Sequence, residues 1–95
     1  MQFILTGYDG TDNGAINRRM EAREKHLKKA RELKQKGNLL WGGALLDNNG
    51  TMKGSVIVYE FESRDDLDKM LENEPYITGG VWERIEIEDF KLASL

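Results

Sequence analysis

Phe3-Ile4-Leu5 is a short apolar run ended by Gly7, and Tyr8 to Gly14 is rich in Asp, Asn, Gly and Thr, which predicts a strand followed by a polar loop. From Ala15 to Lys36 there is neither Pro nor Gly, and Ile16, Met20, Leu27, Ala30 and Leu33 recur at near-helical spacing among Lys, Arg and Glu. This predicts a long helix, with Gly37 as its C-terminal stop. Asn38 to Leu46 is apolar around Gly42-Gly43, the Asp47-Asn48-Asn49-Gly50 cluster reads as a turn, and Ser55 to Phe61 is β-branched and aromatic. A hairpin is predicted there. Ser63 ahead of Arg64-Asp65-Asp66 has the form of a helix N-cap with an acidic first turn, leading to Leu67, Met70 and Leu71 and stopping before Pro75. After a loop at Thr78-Gly79-Gly80, a last strand runs from Val81 to Phe90, with Val81, Ile85 and Ile87 on one face and Trp82 and Phe90 on the other.

The elements follow in the order βαββαβ, an α+β fold. A sheet covered on one side only should alternate apolar and polar residues, because successive side chains point to opposite faces. Strand 3 instead offers Val56 and Val58 to one face and Ile57, Tyr59 and Phe61 to the other, and strand 2 offers Leu39, Trp41 and Leu45 against Leu40, Ala44 and Leu46. Two helices cover one face of four strands and the chain has no third layer for the other, so a homodimer through the sheet face is expected.

With 95 residues, one domain spanning residues 1–95 is expected. Fourteen basic residues are interleaved with seventeen acidic ones for a net charge of -3, which leaves no basic field for nucleic acid. The absence of cysteine removes disulfides and thiolate chemistry and fits a reducing, cytoplasmic setting. No apolar run approaches the roughly 20 residues of a membrane span, and no signal peptide or anchor is expected.

The chemistry concentrates on the first helix. At about 100° per residue, Arg19, Arg23 and His26 fall within the apolar arc, where a buried charge without a partner is expensive. Three such groups at i, i+4 and i+7 point to a polar cavity or an ion-pair network. His26, the only histidine, is the natural proton carrier and needs a partner to fix its tautomer. Asp9, just beyond strand 1, is the first candidate for that partner and Glu74 the second. One histidine and no cysteine leave no metal site, and Gly42-Gly43 and Gly79-Gly80 are too short for phosphate loops. No cofactor is expected.

Arg19, Arg23-Glu24-Lys25-His26-Leu27, Gly37-Asn38-Leu39-Leu40, Gly43, Gly54-Ser55, Glu74-Pro75-Tyr76 and Gly80-Val81, in this order through almost the whole chain, resemble the YciI-like family. The resemblance implies a ferredoxin-like protomer with a four-stranded antiparallel sheet, paired into a dimeric α+β barrel, and a histidine–aspartate pair in a pocket. It places His26 and Asp9 as catalytic candidates and Arg23 and Tyr76 as pocket residues; with Arg19, Glu74 and Ser55 these two make up the expected ligand-binding set. The sequence departs from the family pattern at Glu74, where Asp-Pro-Tyr is usual, and at Gly43-Ala44, where Gly-Pro is frequent. Some relatives act on cyclic or aromatic compounds, including dehydrochlorination of a chlorinated hydroxyhydroquinone. The expected function is therefore that of a small-molecule lyase or isomerase, in which His26 moves a proton, Asp9 orients it and Arg23 holds an anionic oxygen. The alternatives are a dimer that binds a small ligand without turning it over, and a structural dimer in which these charges are tied up in ion pairs.

Overall fold

The computed structural model describes residues 1–95, which form β1 (Gln2–Asp9), α1 (Ala15–Gln35), β2 (Leu39–Leu46), β3 (Met52–Glu60), α2 (Arg64–Leu71), α3 (Pro75–Thr78) and β4 (Trp82–Phe90). The strands make one antiparallel sheet in the order β2-β3-β1-β4. This is the ferredoxin-like βαββαβ arrangement with one short helix added. No helix is long and apolar enough to cross a membrane.

Register decides which residues meet the helices. Phe3 lies opposite Tyr59, Leu5 opposite Ile57 and Gly7 opposite Ser55, so these six share one face. Phe3, Leu5, Ile57 and Tyr59 are buried against Leu33 of α1, Leu67 and Leu71 of α2, and Tyr76 of α3. The opposite face carries Ile4, Val56 and Val58 at its centre and Trp41 and Leu45 on β2, but Arg84, Glu86 and Glu88 on β4. Trp41 is 42% exposed there. The second face is thus apolar at its centre and along β2, polar at Gln2, Thr6 and Glu60, and charged over β4, rather than apolar throughout.

Two bulges overturn face assignments made by strict alternation. The register slips between Leu39 and Trp41, so Leu39 faces the helices opposite Tyr59 while Trp41 sits on the other face opposite Val58. It slips again between Tyr8 and Asp9, where Tyr8 pairs with Arg84 but Asp9 with Trp82. That extra residue brings Trp82 onto the helix-covered face together with Ile85 and Ile87, the partners of Gly7 and Leu5. β1 runs on through Gly7 to Asp9, and Gly7 is what accommodates the indole: a Cβ there would lie 2.6 Å from three ring atoms of Trp82.

α1 has no side-chain cap at Gly14. Asp12 supports its first turn instead, accepting from the Gly14 N–H at 3.2 Å and from both terminal nitrogens of Arg18 at 2.9 and 2.6 Å. The Arg18 hydrogen bonds hold the Asp12 carboxyl well below the usual carboxylate range. A depressed carboxyl stabilises the fold above its unfolded value and loses that contribution as pH falls through the folded one; at this exposed pair the gain is small. The helix ends at Gly37, whose φ of 81° suits glycine. Its buried stripe is Arg19, His26 and Leu33, and Met20, assigned to the apolar arc by spacing, is 51% exposed.

Ser63 caps α2 as expected, accepting from the Asp66 N–H at 3.1 Å. The structure differs beyond Leu71, where α2 stops and α3 opens at Pro75. Proline holds Glu74 in an extended conformation, with φ -72° and ψ 120°, yet fits the first position of a new helix because that position needs no N–H partner.

Gly7→Ala is expected to lower stability by about 1–3 kcal/mol through overpacking against Trp82. In a Trp82→Ala background the same change should cost clearly less, which urea unfolding of the four-member cycle measures.

Candidate active site

All five buried polar or charged side chains of the protein, Asp9, Arg19, His26, Ser55 and Glu74, gather between α1 and the sheet. α1 contributes Arg19 and His26 about two turns apart, β1 ends in Asp9, β3 carries Ser55, and the Glu74-Pro75 turn delivers Glu74. They form two linked groups.

In the first, Glu74 Oε1 lies 2.5 Å from His26 Nδ1 and accepts from the Tyr76 N–H at 3.1 Å. Glu74 is therefore both the cap of α3 and the partner of the histidine. An ionised carboxylate only accepts, which assigns the proton to Nδ1 and leaves Nε2 as the free ring nitrogen. The ring is clamped by Tyr76, stacked at 3.8 Å between centroids and 10° between planes, with Trp82 edge-on at 6.1 Å.

In the second group Arg19, 2% exposed, donates from Nε to Asp9 Oδ2 at 2.9 Å and from Nη2 to Ser55 Oγ at 2.6 Å and to the Gly54 carbonyl. Its guanidinium lies 4.7 Å from the centre of the Tyr76 ring, which joins the two groups. Trp82 Nε1 donates to the same Ser55 oxygen at 3.1 Å. Asp9 Oδ1 is buried with no partner.

Asp9, the first candidate for the partner of His26, thus pairs with Arg19, and Glu74, the second candidate, holds His26. Arg19 stands about two turns before His26 on α1, so the two side chains take their carboxylates from different elements, Asp9 from the end of β1 and Glu74 from the turn before α3. Arg19, Arg23, His26, Ser55 and Tyr76 line one cavity of about 200 Å³, walled otherwise by apolar side chains of α1 and the sheet, with Gly42, Gly43 and Ala44 on its β2 side. Arg23 makes no salt bridge and is the cation of the cavity without a protein counter-ion. Asp9 and Glu74 stand behind this lining. No three His, Asp or Glu side chains converge as a metal-ligand set. Trp82 and Gly7 are the contributors that pattern reading missed, since the bulge at Tyr8/Asp9 leaves no mark in the periodicity.

Breaking the buried Asp9–Arg19 pair by Asp9→Asn is expected to cost about 3–5 kcal/mol, because a guanidinium is left without its counter-charge. Asp12→Asn, at the exposed pair, should change stability little. Equilibrium unfolding of both variants checks the contrast.

Residues 1–91 match the YCII-related domain. Protein YciI of Escherichia coli O6:H1 is 28% identical to this chain across 96% of it and 97% of its own length. An uncharacterized protein of Haemophilus influenzae is 27% identical across 80% of this chain and 84% of its own. Among solved structures, 5-chloro-2-hydroxyhydroquinone dehydrochlorinase of Burkholderia phenoliruptrix AC1100, in complex with 2,5-dihydroxybenzoquinone, superposes with a TM-score of 0.83 at 26% identity, covering 98% of this chain and 96% of that one. A dimeric ferredoxin-like protein from Jannaschia sp. CCS1 shares the fold, with a TM-score of 0.59 at 16% identity over 96% of this chain and 98% of that one. The shared fold is the ferredoxin-like one. With a domain match over nearly its whole length, this chain belongs to the YCII-related family.

Proposed function

We propose that this protein is a cofactor-independent enzyme that moves a proton on a compact, hydroxylated or carbonyl-bearing ring compound, with His26 Nε2 as the base and acid and Glu74 as the residue that orients and charges it. The observation that carries this reading is the His26–Glu74 contact at 2.5 Å, which spends Nδ1 on the carboxylate and leaves Nε2 free on a ring that lines a cavity. A neutral imidazole held in one tautomer takes a proton through its free nitrogen, and the carboxylate behind it stabilises the cation that forms. Arg23 faces the same space and supplies positive charge for the oxygen that becomes anionic.

Size narrows the substrate class. A cavity of about 200 Å³ is smaller than the roughly 300–1,000 Å³ typical of drug-sized ligands and larger than the roughly 150 Å³ that holds benzene. One substituted ring fits. The structural neighbour at 26% identity is a dehydrochlorinase of a hydroxylated ring, which supports the same class here. In an elimination, Nε2 takes the proton while the leaving group departs with the electron pair of its bond to carbon; in an isomerisation, the same proton returns at another carbon. Both are redox-neutral.

The working unit proposed is a homodimer. The face bearing Ile4, Val56, Val58 and the 42% exposed Trp41 is the surface a second copy would cover, as the dimeric neighbour of the same fold supports.

The experiment is to incubate the protein in D₂O with single-ring hydroxyquinones and halogenated hydroquinones, following deuterium incorporation by NMR and halide release. His26→Ala is expected to reduce exchange or release by about 10²–10⁴-fold with the fold intact. Glu74→Gln should also slow turnover substantially. Full activity in His26→Ala would contradict the reading, and a ring compound that binds but returns unexchanged and unchanged would favour a ligand-holding role.

A further inference from the structure

Ser55 sits where its hydrogen-bonding roles are fixed by its neighbours. A serine hydroxyl has one proton to give and two lone pairs to share. Arg19 Nη2 donates to Oγ at 2.6 Å and Trp82 Nε1 donates to it at 3.1 Å. Neither a guanidinium nor an indole N–H accepts a hydrogen bond, so these two directions cannot be reversed and both lone pairs are occupied. The Ser55 proton is given to no protein acceptor, since its only hydrogen bonds are the two it accepts, and the buried Asp9 Oδ1 of the same network has no donor either. Ser55 is 3% exposed and lines the cavity.

We infer that Ser55 is a ligand-contacting donor, whose proton is directed by Arg19 and Trp82 at an oxygen acceptor of the bound compound. This rests on the proposed reading of the cavity and narrows it: the compound must carry a carbonyl, enolate or phenolate oxygen at the Ser55 end and a removable proton within reach of His26. Two N–H donors on the oxygen, one of them cationic, polarise the O–H bond and strengthen it as a donor. Arg23 lines the same cavity and adds charge. Trp82 is a positioning residue, and the lack of a side chain at Gly7 is what lets its indole lie close to β1 and reach Ser55. The bulge that brings Trp82 to this face therefore has a use in the site.

The test uses two ring probes of similar size, 4-nitrophenolate, which has a ring oxyanion, and nitrobenzene, which lacks it. Binding is followed by the visible band of the phenolate and, for both probes, by the NMR signals of His26, the sole imidazole. Ser55→Ala is expected to weaken 4-nitrophenolate about tenfold or more and to shift the bound band to longer wavelength than in wild type, while nitrobenzene affinity stays within about twofold. Trp82→Phe keeps the hydroxyl and frees one of its lone pairs, so a smaller loss of about two- to fivefold is expected for the phenolate alone. Equal phenolate affinity in wild type and Ser55→Ala, or an equal loss of both probes, would overturn the role of Ser55 while leaving the cavity a ligand site. If Ser55→Ala does not fold, Trp82→Phe decides, and unchanged discrimination between the probes overturns the inference. Binding of neither probe by wild type, or binding that leaves the His26 signals unmoved, would overturn the reading of the cavity itself.

Discussion

Charge buried between a helix and a sheet needs a counter-charge and hydrogen-bond partners, and this requirement organises the molecule around Arg19 and His26. An ion removed from water without a partner costs several kcal/mol, comparable with the roughly 5–15 kcal/mol that hold a small domain together. The buried charged side chains all lie in this one cluster, and elsewhere the core is apolar apart from the Tyr59 hydroxyl, which is buried without a partner. Arg19 draws in the end of β1 through Asp9 and the start of β3 through Gly54 and Ser55. The bonds that satisfy it also fix the strand ends that border the cavity.

The second pole depends on a local break in the chain. Pro75 denies Glu74 a helical backbone and then starts a helix of its own, so the Glu74 side chain turns back to meet the Tyr76 N–H. The same oxygen takes His26 Nδ1, while Tyr76 lies flat on the imidazole. Four consecutive constraints, namely the proline, the cap, the carboxylate contact and the stacked ring, leave the histidine little freedom. That is the condition for a proton carrier with one nitrogen presented to a ligand.

Much of this was legible in the sequence because helical spacing is a reliable ruler. Placing Arg19, Arg23 and His26 on the inward side of α1 required only the 3.6-residue turn and the cost of burying charge. The alternation rule served the central strands equally well, and failed where a single extra residue enters. Trp82 was set apart from Ile85 and Ile87, and Leu39 was grouped with Trp41, because bulges carry no compositional mark of their own. The partner of His26 was narrowed to two acids and ranked in the wrong order. Asp9 and Glu74 both approach α1, and the folded contacts, not the spacing in sequence, separate the one that meets Arg19 from the one that meets His26. Glu74 carries a longer side chain than the aspartate usual at that position in the resemblance, and it still closes to 2.5 Å from the ring.

The tautomer of His26 is the most direct measure of whether Glu74 sets up the site. With the imidazole neutral, its ¹⁵N and ring-proton shifts should report hydrogen on Nδ1 and a bare Nε2 in the free protein, with this preference lost in Glu74→Ala. A histidine protonated on Nε2 in the wild-type protein, or a preference indifferent to the loss of Glu74, would contradict the assignment of Nε2 as the nitrogen that takes the proton.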